Sequence, residues 1–150
     1  MSASPAAGSG FFDNYLPHLL TLTAIAASRA FDQELRERGI SLPVWRVMAV
    51  LLDRPGETVT GLARRCLLQQ PTATKLIDRL ERDQLVQRRP DHRDHRVVRV
   101  SLTSKGSTLA ASLVAAAKQH EAALLTRHPQ AEALKNGLRN IIADDVRLAS

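Results

Sequence analysis

The residues of this chain best suited to chemistry are hydrogen-bond donors, acceptors and cations arrayed for a large partner. Gln69, Gln70, Thr72, Thr74 and Lys75 fall within seven positions, and arginines crowd the segments on either side. An amide side chain can pair with the edge of adenine, a threonine can meet a thymine methyl or a base edge, and a lysine reaches guanine or phosphate. For Gln69 and Gln70 a purely structural place in a turn is equally open. Arg64, Arg65, Arg79, Arg82, Arg88 and Arg89 suit phosphates, which position a protein without carrying sequence information. Asp78 is not expected to face a phosphate; its expected partner is Arg82, four residues on in the same helix. Between Thr60 and Val100 ten Lys/Arg stand against five acids, so this segment carries +5 of the formal net charge of +6. A basic field so concentrated draws polyanions, and nucleic acid in particular.

Other chemistry finds little support. There is no Gly-rich phosphate loop, no nucleophile elbow and no pair of metal ligands at helical spacing, so no catalytic residue, metal or cofactor is assigned. His18, His120 and His128 include no i, i+4 pair. Cys66, the single cysteine, excludes an intrachain disulfide and falls at an inward position, where a buried structural thiol is expected. A chain of 150 residues with 44% hydrophobic content builds one domain. The opening MSASPAAGSG lacks a basic region and an apolar core, and no apolar run reaches the roughly 20 residues of a membrane span. A cytoplasmic protein with a disordered tail over residues 1–10 is expected.

The donors are positioned by a helix beginning near Gln70, with Pro71 in its first turn, where the missing N–H costs nothing. Ala73, Leu76, Ile77 and Leu80 form its inward stripe and leave a polar, basic outward face. A shorter helix over about Val59 to Leu67, capped by Thr58, turns Leu62, Ala63 and Cys66 inward. Two helices so closely joined form a helix-turn-helix. LVQRR and VVRVSLT follow as strands on either side of the charged turn PDHRDHR, a hairpin with a long tip. A long guanidinium on such a tip can enter a narrow minor groove.

The run LARRCLLQQPTATKLIDRLERDQLVQRRPDHRDHRVVRVSLTSKG resembles the MarR family of bacterial transcription regulators. The resemblance lies in TKLIDRLE, the LVQRR entry to the wing, the Asp94-x-Arg96 tip and the VSLTSKG exit. It implies a mostly α fold with a small β-hairpin wing, a winged helix-turn-helix with N- and C-terminal dimerisation helices. By resemblance Arg96 is the wing arginine and Asp94 the acid that orients it, with Arg93 the nearest substitute. His92 and His95 depart from the proline and arginine more usual in relatives, and Leu67 departs from a usual glycine.

Elsewhere the order of elements carries the likeness. Phe11 to Arg38 is a long helical pattern that starts or kinks at Pro17 and stops at Gly39. Phe12, Leu16, Leu19, Leu20, Ala27, Ala30 and Phe31 share one face, and Tyr15, Leu22 and Ala26 widen it beyond one packing partner. Ser41 caps a helix over about Leu42 to Asp53, and Thr103 caps the helix after the wing. His128-Pro129 breaks that helix, and a last one runs from about Ala131 to Leu148 through Leu134, Leu138, Ile141, Ile142 and Val146. The domain is thus expected over 11–150, with 11–40 and 104–150 dimerising and 41–103 reading DNA. The surplus apolar surface goes most simply into a homodimer.

The resemblance also implies a small-molecule effector, commonly an aromatic acid or related anion, in a cleft beside the reading head. His18, Arg29, Trp45 and Arg46 are the candidates, Trp45 for stacking and the arginines for a carboxylate. For Trp45 and Arg46 the plainer alternatives are core packing and a solvated surface. The expected function is a sequence-specific, homodimeric repressor released from a pseudo-palindromic operator by such a ligand. A non-specific architectural DNA binder and a redox regulator using Cys66 are the alternatives.

Overall fold

The structure is a computed structural model describing residues 10–148, with side chains through 144. In chain order it comprises α1 (Phe11–Asn14), α2 (Leu16–Glu37), α3 (Leu42–Asp53), β1 (Glu57–Thr58), α4 (Val59–Arg65), α5 (Gln70–Arg82), β2 (Val86–Pro90), β3 (Val98–Leu102), α6 (Ser104–Arg127) and α7 (Ala131–Leu148). It is a mostly helical winged-helix fold around one small antiparallel sheet of order β1-β3-β2. No helix among the described residues is long and apolar enough to cross a membrane. The tail expected over residues 1–10 lies, but for Gly10, outside the described residues, as does the side chain of Val146.

Three helices end in the same way. After α2, α4 and α5 the chain turns through a left-handed residue, Gly39 (φ 69°), Leu67 (φ 58°) and Gln84 (φ 60°). The next residue then donates back to the helix: Ile40 to Leu35 at 2.9 Å, Leu68 to Ala63 at 2.8 Å, and Leu85 to Leu80 at 2.9 Å. This pattern satisfies terminal carbonyls and usually carries an apolar residue just past the turn. Ile40, Leu68 and Leu85 fill that place, all packed against the core.

The helix starts are also chemical. Thr58 Oγ1 accepts from Gly61 N at 3.0 Å, and Thr103 Oγ1 from Gly106 N at 3.0 Å. Ser41 takes the expected N-cap position of α3, but its hydroxyl makes no capping bond. Pro43 in the first turn already fixes φ and removes one donor. The long first helix is broken at Tyr15, which is extended (ψ 117°), because Pro17 cannot continue a helix through its own N–H. α4 is shorter than expected, since Cys66 already ends it.

The core gathers Leu35, Met48, Leu51, Leu62, Ile77, Leu80, Val86, Val100 and Leu113, each no more than 2% exposed. Burying a side chain of this size stabilises by about 2 kcal/mol. α6 contributes Ala110, Leu113 and Ala116, with Leu109, Val114 and Ala117 half-buried beside them. The strand β1 was not anticipated. It adds two residues to the free edge of the wing, Glu57 opposite Val100 and Thr58 opposite Arg99.

Gly106 seats α6 on the wing. A Cβ there would lie 1.9 Å from the carbonyl oxygen of Leu85, an atom already held by Thr103 N at 3.1 Å. Backbone cannot yield as a side chain does, so Gly106→Ala is expected to destabilise the fold by about 3 kcal/mol. Thermal unfolding of the variant checks this, and an unchanged melting temperature would contradict the packing described.

Candidate nucleic-acid interface

α5 is sorted by its two faces. Ala73, Ile77 and Leu80 are at most 2% exposed, while Gln69, Gln70, Thr72, Lys75 and Arg79 all face solvent. Gln69 stands at the N-cap but its side chain makes no capping bond. Its amide is not consumed by the turn. Thr74 donates to the carbonyl of Gln70 at 3.0 Å, so its hydroxyl hydrogen is committed and only its methyl and lone pairs face outward. Arg79 lies 3.7 Å from Asp83, and Arg82 donates weakly to the carbonyl of Asp78 at 3.4 Å. Among the described residues Arg64, Lys75, Arg93 and Arg96 form no ion pair. Arg65, by contrast, pairs with Glu57 at 3.0 Å. The Glu57 carboxyl is held below its usual range chiefly by the N–H of Thr58, with Arg65 adding to it.

The turn into α5 is strained. Leu67 adopts φ 58° and is 79% exposed, where glycine would sit without cost. Arg46 reaches across to this turn, donating to the carbonyl of Cys66 at 3.4 Å. Cys66 is fully buried, and burial pushes its thiol up, against a smaller opposing pull from Arg46. A thiolate is disfavoured there, which argues against the redox alternative.

Arg88 departs from its expected place at a phosphate. Its guanidinium bridges Glu81 at 2.7 Å and Asp78 at 2.6 Å, and its own N–H donates to Glu81 at 3.0 Å. Burial works against the Arg88 charge, but the two carboxylates outweigh it and raise the pKa. Asp78 is therefore partnered from the wing and not by Arg82, whose guanidinium instead touches the Asp78 backbone. The chemistry of a phosphate site is spent internally, fixing α5 to β2 in register. Arg89, one residue on, points to Gln87 at 3.1 Å and remains exposed.

At the tip the expected orienting bond is also altered. Asp94 Oδ1 accepts from the backbone N–H of Arg96 at 3.0 Å, so it shapes the backbone under Arg96 and does not hold the guanidinium. Asp91, which sequence reasoning passed over, does more. Its Oδ1 accepts from Arg93 N at 2.8 Å and Asp94 N at 3.1 Å, and its Oδ2 from Arg99 Nε at 2.7 Å. These donors, the N–H of Arg93 first among them, hold Asp91 down to about 2. The only advance signal was a turn-forming Asp directly after Pro90.

The effector candidates do not converge. His18 stacks on Phe12 with ring centroids 4.1 Å apart, Trp45 meets Phe31 edge-on at 5.1 Å, Arg46 holds the α4 terminus, and Arg29 is exposed. A cleft of about 700 Å³ between α2, α6 and α7 is lined by none of the four. Leu16, Leu19, Leu20, Leu124, Leu134 and Leu138 form its apolar walls. Among the described residues no group of three or more His, Cys, Asp or Glu is placed to hold a metal ion.

The model of the MarR family matches residues 40–98. A MarR family transcriptional regulator from Silicibacter pomeroyi DSS-3 superposes with a TM-score of 0.83 at 36% identity, covering 90% of this chain and 98% of that one. The homoprotocatechuate degradative operon repressor of Escherichia coli is 31% identical over 84 residues, 56% of this chain and 57% of the repressor. The transcriptional regulator TtmR of Methylorubrum extorquens is 33% identical over 97 residues, 65% of this chain and 50% of that protein. The chain thus spans about half the length of these two relatives.

Two measurements check the geometry. Leu67→Gly relieves the left-handed strain and is expected to stabilise the fold by about 1 kcal/mol in chemical denaturation; a loss of stability would contradict the turn as described. In a carbon-detected NMR titration Asp91 is expected to protonate near 2, not near 3.8. Because the folded value is depressed, its contribution to stability is full above about pH 4 and disappears as pH falls through 2. A midpoint near 3.8 would mean that the wing tip is not held as described.

Proposed function

This chain belongs to the MarR family, and from that premise we propose that it is a sequence-specific DNA-binding transcription regulator. We take its working form to be a homodimeric repressor on a pseudo-palindromic operator, released by a small ligand. The observation that carries the DNA reading is the sorting of α5. Its inward side chains are sealed in the core, while Gln69, Gln70, Thr72 and Lys75 stand exposed at its N-terminal end. Polar groups in such an array match the edges of base pairs in a major groove. Arg93 and Arg96, unpaired on the wing tip, suit the adjoining minor groove.

The homodimer is supported by apolar surface that one protomer leaves uncovered. Phe11 is 81% exposed, Ile25 62% and Ile142 63%, and Leu16, Leu22, Leu134 and Ile141 are also exposed. These residues belong to α1, α2 and α7, the terminal helices. Surface of this kind is usually covered by a second copy. Two copies related by a two-fold axis would present two α5 helices to one duplex, with half-sites about 10 bp apart.

Repression and an aromatic acid effector rest on relatives, the E. coli protein being by name the repressor of a homoprotocatechuate degradative operon. Trp45 and Arg46 enter this proposal only as helix-packing residues, since their partners are Phe31 and the α4 terminus.

The test is selection of bound duplexes from a random pool at near-physiological salt, with light scattering on the same preparation. A two-fold motif bound by a dimer is expected; affinity without sequence enrichment would overturn the regulator reading in favour of an architectural binder. On the selected duplex Arg96→Ala is expected to weaken binding about tenfold without changing the dimer's mass. Unchanged affinity would remove the wing tip from the interface.

A further inference from the structure

We propose that Asp91, held by Arg99, is the residue that positions the wing tip for the minor groove. This deepens the DNA-binding reading and rests on it. The tip, residues 91–97, is closed by only two backbone bonds, Asp91 N to Val97 O at 2.8 Å and Val97 N to Asp94 O at 2.9 Å. A loop closed so lightly would sample many shapes, and fixing it on DNA would cost binding energy. The Asp91 carboxylate supplies the missing order. It gathers the N–H groups of Arg93 and Asp94 on one oxygen and the Arg99 guanidinium on the other.

Arg99 is itself anchored. Its Nη1 donates to the carbonyl of Gly56 at 3.2 Å, in the turn between α3 and β1, while Gly56 N donates to Val100 O at 3.0 Å. The tip backbone is thereby tied through two side chains to the body of the domain, 43 residues away in sequence. The same arrangement divides the wing's charge. Arg99 is neutralised by Asp91, and Arg93 and Arg96 stay unpaired on the backbone that Asp91 and Asp94 hold. Three arginines of one hairpin thus have two roles, one as anchor and two as probes.

The proposal predicts an effect opposite to that of bulk charge. Removing a carboxylate from a DNA-facing surface should by charge alone strengthen binding to any duplex. Loss of positioning should weaken binding to the operator. Asp91→Ala is therefore expected to weaken operator binding about tenfold while leaving affinity for random duplex equal or higher. Asp91→Asn, which keeps an acceptor for the two N–H groups but loses the Arg99 ion pair, should fall between.

The probe for the groove is an operator carrying 2,6-diaminopurine for adenine beneath the wing, which adds a minor-groove amino group and keeps the adenine donor and acceptor in the major groove. The wild-type protein should bind it more weakly than the natural operator, and Asp91→Ala should lose this sensitivity. Equal or tighter operator binding by Asp91→Ala, with the diaminopurine penalty intact, would overturn the proposal. Matched circular dichroism and melting curves confirm that each variant is folded, and Asp91→Asn carries the test if the alanine variant is not. A wild-type protein that selects no sequence would instead sink the DNA-binding reading. A wild-type protein that selects an operator but ignores diaminopurine would sink the minor-groove role of the wing, and this proposal with it.

Discussion

The guanidinium of Arg88, set between Asp78 and Glu81, fixes the relation on which the rest of the reading head depends. Asp78 and Glu81 lie on the reading helix, and Arg88 lies on the first strand of the wing. An exposed ion pair contributes little to stability, because water and salt screen it. This one is half-buried and doubly bonded, and its worth lies more in geometry than in energy. On the proposed reading the helix and the hairpin enter neighbouring grooves of one duplex, which requires a set separation and angle. The core sets the helix by Ile77 and Leu80, the sheet sets the wing by Val86 and Val100, and Arg88 couples the two.

The turns on either side of the reading helix show the same preference for position over local comfort. Leu67 and Gln84 both take a left-handed backbone that a glycine would accept more easily. Each is followed by an apolar residue, Leu68 or Leu85, packed against the core and bonded back into the preceding helix. Burial of these leucines offsets the local strain, so both ends of the helix are fixed by side chains outside it. Gly106 then brings the long α6 against the carbonyl of Leu85, joining the reading head to the helices whose apolar faces remain exposed.

Much of this was legible in the sequence where the signal is local. The inward stripe of α5, the caps at Thr58 and Thr103, the stop at Gly39 and the break at His128-Pro129 follow from periodicity and turn chemistry, and the fold has them there. Strand β1 was missed because two residues carry no period. The break at Tyr15 was foreshadowed by Pro17, but its placement depends on backbone geometry. Arg88 was the harder case. Residue type marks an arginine as fit for phosphate, yet its pairing depends on carboxylates seven and ten residues away. Such pairings leave no local pattern. Trp45 and Arg46 likewise have types that suit a ligand, while their contacts with Phe31 and the α4 terminus leave no signal in residue type.

The central claim is a fixed pairing of one helix with a major groove and one wing with the adjoining minor groove. Methylation interference on the selected duplex tests it directly, because methylation at guanine N7 blocks the major groove and at adenine N3 the minor groove. The account predicts N7 interference in two patches about 10 bp apart, each flanked on its outer side by N3 interference. Interference confined to one groove, or spread without the two-fold pattern, would contradict it.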